Sequence, residues 1–83
     1  MNKLIILKYM ERLTRDDIIK YANKQDINIK DNELDLIYAY IKKYPERILN
    51  DAVDVIDEIK DDLSLEVYNK LLELYDKYKN KIS

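Results

Sequence analysis

Leu34-Asp35-Leu36-Ile37-Tyr38-Ala39-Tyr40-Ile41-Lys42-Lys43-Tyr44-Pro45 decides the fold of this chain. At about 100° per residue, Leu34, Ile37, Tyr38, Ile41 and Tyr44 fill one helical sector, and Leu36 and Tyr40 widen it to roughly 200°. An ordinary surface helix carries an apolar stripe of only ~100°. Asp35, Lys42, Lys43 and, just upstream, Asn32 mark the wet side. A helix this apolar needs neighbours on at least two sides. The spacing therefore predicts a bundle packed around a helix over 31–43.

The flanking segments supply those neighbours. Leu4, Ile6, Leu7, Met10 and Leu13 recur at spacings of three and four, predicting a short helix over 3–12 with Lys3, Lys8, Glu11 and Arg12 on its other side. Thr14-Arg15-Asp16-Asp17 resembles a capping box, and its acids suit the positive end of a helix dipole. A helix over 15–25 follows, burying Ile18, Ile19, Ala22 and one side of Tyr21. Asp26-Ile27-Asn28-Ile29 breaks the helical period, so it reads as a connection whose two isoleucines dip into the core. Pro45 ends the central helix, because the residue before a proline is pushed out of the α region, and it suits the first position of the next.

From Pro45 onward, Ile48, Leu49, Ala52, Val53, Val55, Ile56, Ile59 and Leu63 fall within an arc of roughly 160°. The period continues across Asn50, predicting one helix over 46–61. Ser64 is a good N-cap for a last helix over 65–80. Val67, Tyr68, Leu71, Leu72, Leu74, Tyr75 and Tyr78 give that helix a wide apolar face. Lys77, Lys79 and Lys81 place cations at its negative end. The expected fold is all-α, a compact bundle of four to five short helices in a single domain spanning 1–83.

Leu13-Thr14, Asp17-Ile18, Tyr21-Ala22, Ile27-x-Ile29 and the following Ile37 resemble a small uncharacterised all-helical family of Bacillus-type bacteria. The resemblance covers residues 13–44 and contains no chemically specific motif. It implies a cytoplasmic all-α protein and brings no site residues with it.

Composition narrows the chemistry further. The 83 residues are 47% apolar, with no Cys, no His and no Gly. Without Cys there is no disulfide framework, thiolate metal site or Cys nucleophile. Without His the commonest general base and metal ligand are missing. Without Gly, phosphate-cradling loops and glycine-capped helix ends are excluded. Ile, Lys, Asn and Tyr abound, as AT-rich codons would give, so the Lys and Tyr counts carry no functional weight. The longest apolar runs, 4–7 and 36–41, fall far short of the ~18 residues that span a bilayer. The first is also too short for a signal peptide. A cytoplasmic location with no membrane association is expected.

Hydroxyl nucleophiles are limited to Thr14, Ser64, Ser83 and tyrosines, and Thr14 and Ser64 already have capping roles. No His exists to activate any of them, so a non-enzyme is expected. Asp26, Asn28 and Asn32 mimic EF-hand spacing. However, such a loop needs Gly at position six and Glu at position twelve, where this chain has Asp31 and Ile37. Asp54, Asp57, Glu58 and Asp61 read as a solvated face rather than a metal site. No metal and no cofactor are expected.

Net charge is −2, unevenly spread: residues 1–30 carry +3, residues 31–66 carry −7, and residues 67–83 carry +2. Asp51, Asp54, Asp57, Glu58, Asp61 and Asp62 share one arc of the 46–61 helix, with Arg47 alone breaking the sign. Like charges at i,i+4 disfavour a helix, and Asp is a poorer helix former than Glu. A solvated helix side would account for the arc, yet its local cost points to a use. The expected function is a protein-interaction or regulatory module docking a basic partner, such as a nucleic-acid-binding protein, in the manner of an inhibitor or nucleic-acid mimic.

The alternative is a helix-turn-helix-like nucleic-acid binder using Lys3, Lys8, Arg12, Arg15, Lys20 and Lys24. Its recognition helix would begin Asp31-Asn32-Glu33-Leu34-Asp35, and three carboxylates there would repel a phosphate backbone. Direct nucleic-acid contact is therefore the weaker expectation. The tyrosines read as core-edge residues. Leu36, Tyr40 and Leu74 leave a homodimer patch open.

Overall fold

A computed structural model describes residues 3–82, side chains excepted at 78 and 80–82. Ser83 and the side chains of Tyr78 and Lys81 lie outside the described residues. Helices α1 (Lys3–Arg12), α2 (Arg15–Lys24), α3 (Asp31–Lys43), α4 (Pro45–Ile59) and α5 (Leu65–Ile82) follow one another, with a 3-10 turn at Lys60–Asp62. The protein is an all-α bundle. No helix among the described residues is long and apolar enough to cross a membrane.

Local chemistry sets most of the boundaries. The Asp17 N–H donates to Thr14 Oγ1 at 3.2 Å and the Thr14 N–H donates to Asp17 Oδ2 at 2.9 Å, a reciprocal capping box that starts α2. The backbone N–H of Thr14, then its side chain, hold the Asp17 carboxyl below the usual aspartate value. At the far end Asp26 sits at φ 57, in the left-handed region where glycine is the usual occupant. The Ile27 N–H returns to the Ala22 carbonyl at 2.8 Å and the Asp26 N–H to the Asn23 carbonyl at 3.1 Å. These two bonds form a Schellman closure made without glycine.

Tyr44 ends α3 and precedes Pro45, which opens α4 as expected of a first-turn proline. Ser64 Oγ accepts the Val67 N–H at 3.3 Å and so caps α5. The C-terminal carbonyls of α1 are also satisfied. Lys42 Nζ donates to the Met10 and Glu11 carbonyls at 3.2 and 2.6 Å, placing a cation at a negative helix end.

The core gathers where α3, α4 and α5 meet. Ile37, Ile59 and Val67 form its buried centre, with Ile18, Ile27, Ile29, Leu36, Tyr40, Ile41, Leu63 and Leu71 packed against it. Both loop isoleucines thus reach inward as expected. Leu36 and Tyr40 pack against this core while staying partly exposed. The Cα radius of gyration of 12.1 Å matches the ~12 Å of a compact domain of this length.

Three expectations need correction. The segment 46–61 is not one regular helix: Asp51 leaves helical geometry at φ −152, ψ 47 and kinks α4, and the last turn tightens to 3-10. Asn50 and Asp51 are poor helix formers whose side chains compete with the backbone ladder. The apolar stripe runs through unbroken, so periodicity alone does not register the break. Ile19 is exposed rather than buried, and so are Leu4 and Val53. Helix α1 buries no residue at all and leans on α3 and α4 through half-buried Ile6, Leu7 and Met10.

Candidate functional site

All six carboxylates of the acidic face, Asp51, Asp54, Asp57, Glu58, Asp61 and Asp62, are exposed. They are not equivalent. Glu58 accepts a hydrogen-bonded ion pair from the Arg47 guanidinium. Eleven residues of straight helix would separate the two by ~16 Å, so the kink at Asp51 is what folds Arg47 back onto Glu58. The Arg47 hydrogen bond, with the Tyr40 hydroxyl adding to it, holds the Glu58 carboxyl below the usual glutamate value and raises Arg47 in turn. Asp57 accepts from the Tyr68 hydroxyl at 3.3 Å, tying α4 to α5. Asp51 lies within the field of Arg47. Asp54, Asp61 and Asp62 enter no ion pair among the described residues, so the open anionic part of the face is these three.

The carboxylate with the most unusual setting is Glu33, only 1% exposed. Its Oε1 accepts the Lys30 N–H at 3.0 Å and its Oε2 accepts the Ser64 N–H at 2.6 Å. One side chain thereby satisfies orphan donors at the starts of both α3 and α5. Burial, the largest single influence, pushes its carboxyl up. The Ser64 and Lys30 N–H groups, the Ser64 hydroxyl and the Lys30 charge together outweigh burial and hold it below the usual glutamate value. Glu66 repeats the device nearby, accepting the Asn28 N–H at 3.2 Å. Both acids are spent on structure.

Sequence reasoning places Glu33 only among the three carboxylates at the start of the 31–43 helix and misses this link. A Lys30-x-x-Glu33 spacing signals only the local half of the bond, and Ser64 lies 31 positions away.

Among the described residues, the two best-formed clefts offer little for a small ligand. An open cleft of about 330 Å³ is lined by Lys30, Asn32, Glu33, Asp61, Asp62, Leu63 and Ser64, and a second of about 370 Å³ by Asn23, Asp26, Ile27, Asn28 and Glu66. Ligand pockets are mostly apolar with a few placed polar groups, and these are the reverse. No three acids converge on a metal-sized site among the described residues.

The basic third is partly neutralised. Arg15 pairs with Asp35 and Lys20 with Asp16, while Lys3 Nζ donates to the neutral Asn50 Oδ1 at 3.1 Å and pairs with no acid among the described residues. Lys8, Arg12 and Lys24 remain exposed and outside any ion pair among the described residues.

No protein-family model, no curated relative and no solved structure matches the chain.

Proposed function

We propose that this protein is a non-enzymatic interaction or regulatory module of the cytoplasm that docks a basic protein surface through the acidic face of α4 and the 3-10 turn that follows it. The observation that carries this reading is the run of exposed Asp54, Asp61 and Asp62 carboxylates left without cationic partners, beside Asp57 and Glu58 held in place by Tyr68 and Arg47. Charge of one sign gathered on one face steers encounter with an oppositely charged patch and sets its register. A nucleic-acid-binding protein is the partner class with the matching cationic surface, which the acidic face would occlude.

The test is affinity capture from source-cell extract with the wild-type chain and with an Asp54→Asn, Asp61→Asn, Asp62→Asn variant. Loss of a basic partner, with the circular dichroism spectrum unchanged, is the expected outcome; an identical partner list sinks the proposal. Direct nucleic-acid binding is checked alongside by fluorescence polarisation on a labelled duplex at low salt. With Arg15 and Lys20 paired to acids, no binding at micromolar protein is expected. Binding abolished by Lys20→Glu and Lys24→Glu would overturn that expectation.

A further inference from the structure

Helix α1 presents an outer face that a solitary globular helix has no reason to keep. Ile5, Lys8, Tyr9 and Arg12 stand at i, i+3, i+4 and i+7, one stripe of an α-helix, and all four are exposed. Ile5 is 59% accessible and Tyr9 64%. The inner side holds Ile6, Leu7 and Met10, so the apolar residues outside are not recruited to the core. Lys8 and Arg12 enter no ion pair among the described residues.

On α4 and the turn after it, Asp54, Asp57, Glu58 and Asp61 stand at the same four spacings, with Val53 at the margin 40% accessible. The chain thus carries a basic face on α1 and an acidic face that runs from α4 into the 3-10 turn, each edged with accessible apolar surface. They lie on helices that pack against each other.

We infer that the outer face of α1 docks on the acidic face of α4 in a second copy of this chain, giving a weak two-fold dimer. The inference rests on the acidic-face function proposed above and names its basic partner as another copy. In such an assembly α1 of each chain meets α4 of the other, so two equivalent contacts close it at two chains. Lys8 and Arg12 face Asp54 and Asp61, while Ile5 and Tyr9 cover Val53.

An anionic lipid surface fits α1 less well, because the −7 carried by residues 31–66 opposes approach to it. The four or five residues named on each side are far fewer than the roughly 20–30 a side of a standard interface. Dissociation on the order of tens of micromolar is therefore expected, weakening severalfold from low to high salt.

Charge reversal tests the pairing. Analytical ultracentrifugation of the wild-type chain from ten micromolar to one millimolar should show reversible dimerisation. A Lys8→Glu, Arg12→Glu variant and an Asp54→Lys, Asp61→Lys variant should each have a dissociation constant raised at least tenfold and be mostly monomeric at about 100 μM, where the wild-type chain is mostly dimeric. Mixed in equal amounts they should form a one-to-one heterodimer, since both contacts are then complementary again.

A wild-type chain monomeric at one millimolar overturns the inference. So does a dimer indifferent to both variants, a mixture that stays monomeric, or growth into open chains. Circular dichroism verifies that each variant folds; Lys8→Gln with Arg12→Gln and Asp54→Asn with Asp61→Asn replace any that does not, with weakened dimerisation expected. A wild-type monomer that still captures a basic protein through Asp54 and Asp61 would sink the dimer alone and leave the proposed function standing.

Discussion

Glu33 illustrates how one side chain can hold two helices. Its oxygens are filled by the Lys30 and Ser64 N–H groups, so Glu33→Ala takes the acceptor from two part-buried donors. A fully buried orphaned donor costs ~1–3 kcal/mol and one that water can reach costs less, so urea denaturation should show a loss of about 1–3 kcal/mol for the pair. Glu33→Gln, which keeps an acceptor for only one of them, should lose about half as much. The carboxyl titrates below its ordinary value in the folded chain. The unfolded chain therefore binds the extra proton first as pH falls, and stability rises with pH across that window. The Glu33 contribution is complete above roughly pH 4.3 and disappears as pH drops through the lowered folded value. Denaturation series of wild type and Glu33→Gln between pH 7 and 3 should converge towards the acid end. Asp26 permits a prediction of opposite sign. It occupies the left-handed position of the α2 closure at φ 57, where a side chain with Cβ costs up to ~1–2 kcal/mol and Asp somewhat less. After the greater backbone entropy of glycine is subtracted, Asp26→Gly should stabilise by ~0.5 kcal/mol, near 2–4 °C in Tm. Capping by Thr14, Asp17 and Ser64 is legible in the sequence because donor and acceptor lie three positions apart. The Glu33–Ser64 bond is not, because tertiary packing alone brings its ends together.

Among the elements, α1 is bound most lightly. It buries no residue, and its C-terminal carbonyls depend on Lys42 from α3. Elements with few buried apolar contacts open locally at low free energy. Amide exchange in α1 should therefore run at least tenfold faster than in α3 and α4. Lys42→Met keeps the aliphatic stem and removes the cation, and a charge at a helix end contributes ~0.3–1 kcal/mol. This variant should speed α1 exchange by a further two- to fivefold on that basis while leaving α5 unchanged; equal acceleration in α5 would contradict local opening. The five helices were expected near their observed bounds because apolar period, caps and Pro45 agree on where each begins. The kink at Asp51 escapes the same reasoning for a physical cause. A stripe of Ile48, Ala52, Val55, Ile56 and Ile59 faces the core whether the backbone between is straight or bent. The bend also decides which acids of the candidate face are occupied, since it delivers Arg47 to Glu58. Sequence period could place six carboxylates together but could not divide the paired from the open ones.

For the whole molecule, the decisive contact is the meeting of Ile37, Ile59 and Val67, one residue from each of α3, α4 and α5. A chain of 83 residues at 0.05–0.15 kcal/mol per residue has ~4–12 kcal/mol of stability in total. Truncating a buried isoleucine to alanine costs ~2–5 kcal/mol, from lost transfer energy and the cavity left behind. Ile59→Ala therefore removes a large fraction of what holds the bundle together, and Tm should fall by ~10–25 °C. The form of the transition is as informative as its midpoint. The Glu33 link ties the start of α5 to α3, and the Tyr68–Asp57 bond ties α5 to α4. Loosening the shared centre should thus weaken all three helices together. Far-UV circular dichroism and tyrosine fluorescence should report one coincident transition in both wild type and Ile59→Ala. A variant in which the two probes separate would mean that α5 melts apart from α3 and α4. The acidic face would then lose the Tyr68 anchor on Asp57 before the bundle itself unfolds.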